Sequence, residues 1–474
     1  MGKYKVMRDR ELMLTPLYWN NLSQTSQRSK DFFGVNQVLI YSHLKDGRDV
    51  QFHLSANWRR AEKIIADNYF NNQHFFDNLE IVLSQKAKAV DIFLKRLRRT
   101  NFQALSPNAL VSWAADIQDS WLAYDGINVP AWFWGADEFS LRLQKLLPVS
   151  PAEYLIISTP DVNTYASRLE YDLLRKWSLV KTSKLSLESA AQSLSDNYGW
   201  LPFGYDGPKY WDNKYFLRQL KALGRNYKRR EAISQEESAW RQRLRQKKNI
   251  IKRYHFTKKE LRYLEIINKL AIWTDERKNL EFQLHYHYAR VLWSLEKKLG
   301  ISYINLKYLF TEELPELLKN KDKFIKISSL RLRSDFMFAT KNGKIRILSA
   351  SEKNKILREI SQQNKEQAVK GKVASSGAVP FYEGQVKILL SPADGDKVQI
   401  GDIIIATMTS PDYIVAMKRA GAFITDEGGV TCHAAIVARE MHKPCLIATK
   451  IATKKFKDND RVRMDLQHGT VTLI

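Results

Sequence analysis

The hydrophobic pattern of the chain changes near residue 370, and this change constrains the fold more than any other feature. Before it, apolar and charged residues recur at helical spacing over long segments, such as 258–299. After it come short β-branched runs separated by turns, at 422–425, 445–448, 462–466 and 470–474. We therefore predict a multidomain α+β protein, with a large, mainly α-helical N-terminal region followed by a small α/β domain.

The same pattern places three segments. Residues 1–325 are predicted as a mainly helical domain with a small β-hairpin near 38–53. Residues 326–370 are predicted as a second hairpin, turning at Asn342-Gly343, followed by a helical linker that acts as a hinge. Residues 371–474 form the last domain. The predicted arms of the second hairpin are 327–332 and 345–348.

Pro130 marks a predicted interruption in the helical region. One helix is expected from Pro107 to about Tyr124, and another from Glu138 to Leu147. The residues between these helices, which include Pro130 and the run Trp132-Phe133-Trp134, are not predicted as helical.

One histidine near the C-terminus lies between a glycine-bearing turn and a small-residue helix. From Gly428 the sequence runs Gly-Gly-Val-Thr-Cys-His-Ala-Ala-Ile-Val-Ala-Arg-Glu. Gly428 and Gly429 permit backbone conformations closed to other residues and a close approach to a ligand. Thr431 is a favourable N-cap and an alanine-rich run follows, so we predict a helix that begins beside His433.

This arrangement suits phosphohistidine chemistry. The first turn of a helix has unpaired N–H groups and a partial positive charge, which bind anions. The His433 imidazole is neutral near pH 7 and can take up a phosphoryl group as a covalent nucleophile. Gly428, Gly429 and Thr431 would shape and cap the phosphate loop. Arg439 would offset phosphate charge, although an ion pair with a carboxylate explains it equally well. The alternative for His433 is an ordinary packing or capping role.

The stretch resembles the phosphohistidine signature of the phosphoenolpyruvate-utilising enzymes, the family of pyruvate phosphate dikinase and phosphoenolpyruvate synthase. The resemblance extends to flanking segments on both sides, at 370–375, 384–388, 401–406, 410–417 and 444–448. It implies that residues 371–474 are a small swivelling phosphohistidine domain. In the family this mobile domain carries phosphate on the histidine, here His433, from an ATP-grasp site to a second active site.

Upstream segments resemble the helical linker region of synthase-like proteins and the rear of rifampin phosphotransferases. These segments are 198–203, 273–278 and 298–301. Upstream of residue 371 the sequence has no recognisable Gly-rich phosphate loop, and we expect no barrel after the mobile domain. The resemblance therefore implies a separate ATP-grasp protein acting in trans, which binds ATP and Mg²⁺, and no cofactor on this chain. The implied phosphate acceptor is a small molecule, either pyruvate-like or hydroxylated.

The charge is strongly basic, with 76 Lys and Arg against 51 Asp and Glu, or +25. Of these, 63 basic and 40 acidic residues precede residue 371, and the basic residues concentrate between Lys221 and Lys259. Such a surface suits nucleic acid, a membrane face, an acidic partner or an anionic substrate, or is simply solvated. No zinc-finger, RNP or helix-turn-helix signature accompanies it, so nucleic-acid binding is not favoured.

Three functions remain open at this point. The first is a phosphotransferase component that carries phosphate on His433. The second is a non-catalytic interaction or regulatory protein that binds an acidic partner or RNA through its basic helical face. The third is a rifampin-phosphotransferase-like subunit that modifies a hydroxylated small molecule.

Other side chains indicate little further chemistry. Cys432 and Cys445 are the only cysteines, which indicates neither a disulfide framework nor a Cys-rich zinc site and suits a cytoplasmic protein. His285 and His287 are two apart in a helical stretch and project to different faces, so they should not share a metal. No apolar run is long enough to cross a bilayer. An aromatic-rich stretch at 198–216 is predicted as core, with an acceptor pocket as the alternative.

Overall fold

A computed structural model describes residues 4–11, 17–35, 39–45, 48–162, 165–203, 210–333, 335–365, 368–429 and 432–474. The chain divides into two compact units, one ending at Ala350 and the other beginning at Ser351. The first is mainly helical and the second is an α/β domain, which confirms the predicted fold class. The predicted linker, 326–370, is shared between the two units.

The first unit contains a small sheet and a large set of helices. Its strands are β1 (Tyr4–Glu11), β2 (Ile40–Lys45), β3 (Arg48–Leu54), β4 (Phe336–Lys341) and β5 (Lys344–Ile347). Its helices are α1 (Leu17–Thr25), α2 (Gln27–Phe33), α3 (Ser55–Asn71), α4 (Gln73–Arg99), α5 (Pro107–Leu146), α6 (Pro151–Ile157), α7 (Tyr165–Lys181), α8 (Leu187–Tyr198), α9 (Asn213–Arg225), α10 (Tyr227–Tyr254), α11 (Lys258–Leu299), α12 (Tyr303–Lys307), α13 (Leu314–Lys319) and α14 (Lys321–Arg333).

The five strands form an antiparallel sheet in the order β1-β3-β2-β4-β5. The hairpin expected near 38–53 is present as β2 and β3. The second hairpin turns at Asn342-Gly343, as predicted, but its first arm is β4. The prediction of a strand at 327–332 is wrong, because these residues lie in α14. There Phe324, Ser328 and Arg331 are buried at helical spacing.

The predicted interruption at Pro130 is also wrong, because α5 continues through it. Proline at this position cannot donate to the carbonyl four residues earlier, which belongs to Gly126. The Ser29 hydroxyl donates a hydrogen bond to that carbonyl instead. A buried acceptor that would otherwise lack a partner is thus satisfied from another helix, and the 40-residue helix persists.

The main hydrophobic core of the first unit lies between α5, α11 and the shorter helices around them. Trp19, Trp121 and Tyr288 are fully buried there. A second, smaller cluster joins α7, α8 and α9 with one residue of α10, Ile233. No helix among the described residues is both long and apolar enough to span a membrane.

The second unit is built on one mixed sheet. Its strands are β6 (Val369–Lys370), β7 (Lys372–Ser376), β8 (Phe381–Leu389), β9 (Ile403–Ala406), β10 (Ala422–Thr425), β11 (Pro444–Ile447), β12 (Arg461–Asp465) and β13 (Thr470–Leu473). Its helices are α15 (Ala350–Lys365), α16 (Ile414–Arg419), α17 (His433–Glu440) and α18 (Ala452–Lys455). The strand order is β6-β13-β12-β8-β9-β10-β11-β7.

The centre of this sheet is parallel and buried on both faces. Strands β8, β9, β10 and β11 run parallel, and the flanking pairs are antiparallel. Along β9, Ile404 packs on one face with α16 and α17, whereas Ile403 and Ile405 pack on the other with α18. Alternate side chains of one short strand therefore contribute to two cores, as expected for a central parallel strand.

Candidate functional site

His433 and Thr409 lie at one edge of the parallel sheet. Strands β9 and β10 are parallel neighbours, so their carboxyl ends point the same way. Thr409 follows β9 by three residues, and His433 follows β10 after a loop and is the first residue of α17. The crevice outside the carboxyl ends of parallel strands is where α/β folds place their ligands.

The His433 ring is oriented by one hydrogen bond. Its Nδ1 lies 2.9 Å from the Thr409 hydroxyl oxygen. The ring is half-buried, and none of the described residues forms a hydrogen bond with its Nε2. Burial lowers the pKa of the imidazole, and the Glu440 carboxylate partly opposes this by favouring the charged ring. In the neutral tautomer in which Nδ1–H donates to the Thr409 hydroxyl, Nε2 is unprotonated and is the nucleophile.

The helix begins at His433, where it was predicted to begin. Its N-cap, however, is Cys432, not Thr431, which lies outside the described residues. Cys432 has extended backbone angles, and its side chain forms no capping hydrogen bond to the first turn. Because a thiol is a weak acceptor, it does not satisfy the amides that Ser or Thr would satisfy at this position. The backbone amides of the first turn of α17 can therefore bind an anion.

The two glycines have different structural roles. Gly428 has φ +122°, and a Cβ placed on it would lie 2.8 Å from the Cys432 sulfur. Gly429 has no such constraint, since a Cβ on it would meet nothing within 4 Å. Glycine is therefore required by backbone geometry at Gly428, whereas Gly429 borders open space.

Backbone bonds and one buried carboxylate fix the start of the loop. The amides of Asp426 and Glu427 donate to the carbonyls of the last residue of β9 and of the residue after it, at 3.0 and 2.9 Å. The Asp426 carboxylate is nearly fully buried and accepts hydrogen bonds from the Thr449 hydroxyl at 2.8 Å and the Ala452 amide at 2.6 Å. These contacts attach the end of β10 to the N-terminus of α18, so the loop to His433 starts from a fixed point.

Arg439 is not brought next to the ring. It is exposed in the last turn of α17, about 9 Å further along the axis than His433. There its charge is favourable to the helix dipole, whether or not it also reaches a phosphate. Thr409 contacts the His433 ring, and Gly428 lies against Cys432, the residue that precedes this histidine.

Sequence reasoning missed Thr409 and Asp426. Both follow strands that were identifiable from their β-branched runs, and polar residues directly after neighbouring parallel strands were the available signal. That β9 and β10 are neighbours could not be read from the sequence.

The other candidate groups belong to cores. His285 is buried against Trp19 and Trp121, and burial lowers the pKa of its imidazole to about 4. The His287 Nδ1 lies 3.0 Å from the Arg290 guanidinium. Within the described ranges, no three His, Cys, Asp or Glu side chains are grouped to hold a metal.

The aromatic stretch at 198–216 is largely packed. Phe203 and Phe216 are fully buried, and Trp211 stacks on Tyr215 with ring centroids 4.6 Å apart. Its residues 204–209 lie outside the described part of the chain.

Comparison with known proteins agrees with the geometry. The model of the family described as PEP-utilising enzyme, mobile domain, matches residues 398–469, which include Thr409, the glycine loop and α17. Probable phosphoenolpyruvate synthase from Archaeoglobus fulgidus is 42% identical over 142 residues, covering 29% of this chain and 19% of that protein. The probable synthase from Methanothermobacter thermautotrophicus is 49% identical over 113 residues, covering 24% and 16%.

Phosphoenolpyruvate synthase from Pyrococcus furiosus is 34% identical over 184 residues, covering 38% of this chain and 22% of that protein. The chain thus spans about a fifth of the length of these relatives. The segment matched by the family model contains the motif around His433 and strands β9 to β12 of the sheet. Residues 398–469 are therefore similar to the mobile domain of the phosphoenolpyruvate-utilising enzymes.

Proposed function

We propose that this protein is a phosphotransfer component that carries a phosphoryl group on Nε2 of His433. One observation carries the proposal: the ring is fixed through Nδ1 by Thr409, at the start of a helix whose first turn has no side-chain cap. An exposed histidine without such a partner would rotate freely. A core histidine would have both nitrogens enclosed.

The transfer step follows from the ring geometry. The lone pair on Nε2 forms a bond to phosphorus, and the bond from phosphorus to the leaving oxygen breaks, with its electron pair staying on that oxygen. The proton on Nδ1 remains, so the ring becomes positively charged. In that state the Thr409 hydroxyl accepts from Nδ1–H and stabilises the charge. On transfer to the acceptor the ring returns to its neutral form.

Backbone groups would bind the phosphoryl oxygens. The first turn of α17 offers amides with the positive end of the helix dipole, and the space beside Gly429 is open. We assign Thr431 to the same phosphate loop from its place in the motif. Arg439 contributes at longer range.

The donor and acceptor in this proposal come from the family resemblance. An ATP-grasp protein in trans would bind ATP and Mg²⁺ and phosphorylate His433, and residues 371–474 would swivel to the acceptor. A pyruvate-like acceptor fits the phosphoenolpyruvate synthases that the chain resembles. A hydroxylated compound would instead make it a rifampin-phosphotransferase-like subunit.

The test is transfer of label from ATP. Incubation of the full chain with an ATP-grasp protein and labelled ATP should give an acid-labile phosphoprotein that is absent in His433→Ala. Adding pyruvate or a hydroxylated acceptor should then remove the label from the protein. Label retained by His433→Ala would refute the assignment of the phosphorylated residue.

A further inference from the structure

Helix α10 carries a continuous row of positive charge on one face. Its members are spaced at i, i+4, i+7 and i+11, which brings them onto one side of a helix, and all are exposed. They are Arg241, Arg245, Lys248 and Lys252. The row is about 17 Å long. Among the described residues, Glu237 is its acidic partner, pairing with Arg241 at 2.6 Å, and the other three cations have none.

A second row lies beside the first. Gln242, Gln246 and Asn249 each follow a cation of the first row by one residue and are spaced at i, i+4 and i+7. All three are exposed, and their amides form no hydrogen bond to any described residue. The exposed side of α10 therefore presents charge in one row and paired donors and acceptors in the next.

The middle of the helix stands away from the protein. Ile233 packs in the cluster formed by α7, α8 and α9, and Ile250 packs in the main core. From 234 to 246, no side chain that the structure describes is buried. Helix α10 thus bridges two cores, and its central three turns are open to a partner.

The chemistry of this face selects among partners. A membrane surface would require an apolar side to insert, but the isoleucines of α10 face the cores. A protein interface would require an apolar or aromatic centre. Among the described residues, the large apolar side chain that α10 exposes is Tyr227, at its N-terminal end. Trp240 and Leu244 in the central turns are half-buried, and by helical spacing they lie nearer the side of Ile233 and Lys247 than the cation row.

Double-stranded nucleic acid offers a partner for each row, phosphates for the cations and base edges for the amides. Cations bind phosphates, and Gln or Asn amides pair with adenine in the major groove of DNA. A helix about 10–12 Å across enters the B-form groove, about 12 Å wide, whereas the A-form RNA groove is too narrow for side chains. We propose that α10 binds the major groove of double-stranded DNA, with the cation row on one phosphate backbone. This inference is independent of the chemistry proposed for His433.

Salt-dependent binding tests the proposal. The probe is a fluorescein-labelled DNA duplex of about 20 base pairs, titrated with the full chain. Four phosphate contacts predict a slope of about −3.6 in log affinity against log salt, or about a 100-fold loss of affinity between 50 and 200 mM salt. The double variant Arg245→Gln/Lys248→Gln should make the salt slope shallower by about 1.8. At 50 mM salt it should also lower the affinity about tenfold for each cation removed.

A matched variant controls for net charge. Lys323→Gln/Lys326→Gln removes the same charge from exposed positions of α14 and should leave both quantities unchanged. Circular dichroism should show equal helix content in both variants. Equal weakening by the two pairs would overturn the proposal, as would tighter binding of an RNA duplex of the same sequence. Displacement of the DNA by poly-glutamate at equal charge concentration would overturn it in favour of an acidic protein.

Discussion

Thr409 and His433 belong to successive strand-to-helix connections, yet their side chains are joined by a hydrogen bond of 2.9 Å between Oγ1 and Nδ1. The parallel pairing of β9 and β10 creates this relationship, because it aligns the two loops at one edge. The bond decides which ring nitrogen is available for chemistry. Substitutions at both residues should therefore change the chemistry of the ring.

Removing the hydroxyl should slow phosphorylation. Thr409→Val keeps the shape but removes the acceptor that orients and stabilises the ring. A hydrogen bond to a charged group is worth about 1.5–3 kcal/mol, so we expect the rate of His433 phosphorylation to fall about 10- to 100-fold. The measurement is quantitative mass spectrometry of the phosphopeptide over time. Thr409→Ser is the matched control and should retain most of the rate; if it is as slow as the valine variant, the hydroxyl is not the cause.

The two glycines of the loop should respond differently to alanine. Gly428→Ala forces a Cβ into a backbone with φ +122° and against Cys432, which should cost about 1–3 kcal/mol. Gly429→Ala meets open space and should change the free energy of unfolding little. Hydrogen exchange of the amides in 403–447 of the full chain measures the change in the free energy of unfolding for both variants. Equal destabilisation by the two substitutions would contradict the loop geometry.

Phosphorylation of His433 should persist into mildly acidic solution. Burial lowers the pKa of this imidazole, so the neutral nucleophile survives to lower pH than in a free histidine. With phosphoramidate as donor, the midpoint of the rate against pH should lie below that of N-acetylhistidine measured in parallel. Glu440→Gln removes a carboxylate that favours the charged ring, so it should move the midpoint lower still. A midpoint above that of N-acetylhistidine would argue against the environment described.

Acid should destabilise the helical unit through His285. Its pKa is about 4 in the folded protein, against about 6.5 when unfolded, so between these values the unfolded chain binds the extra proton. Stability should therefore fall as pH decreases through this window, by about 1.4 kcal/mol per pH unit for this group. The free energy of unfolding, measured in urea between pH 6.5 and 5, should therefore fall less steeply with decreasing pH in His285→Gln than in the unchanged protein. The control His74→Gln, at an exposed position, should keep the pH dependence of the unchanged protein. Identical slopes for both variants would exclude His285 as the titrating group.

Local signals predicted the elements of the second unit well. The runs 422–425 and 445–448 are close to β10 and β11, and the helix beside His433 begins where the alanine-rich stretch indicated. These features depend on neighbouring residues in the chain. The family motif added the chemistry of one side chain.

Errors arose where distant residues decide the outcome. Pro130 stays helical because Ser29, about a hundred residues earlier, donates to the carbonyl that proline leaves without a donor. Residues 327–332 are helical because Arg331 is drawn into the core, where it donates to both carboxylate oxygens of Glu313. Thr409 escaped notice because its partner lies 24 residues away on an adjacent strand connection.

The nitrogen that bears phosphorus is the most direct measure of the central claim. The full chain should be treated with phosphoramidate and the product examined by ³¹P and ¹⁵N NMR, with His433→Ala as the reference. We predict one stable phosphohistidine signal, assigned to Nε2 of His433 and absent from the variant. Phosphorus on Nδ1, or an unchanged signal in His433→Ala, would contradict the account.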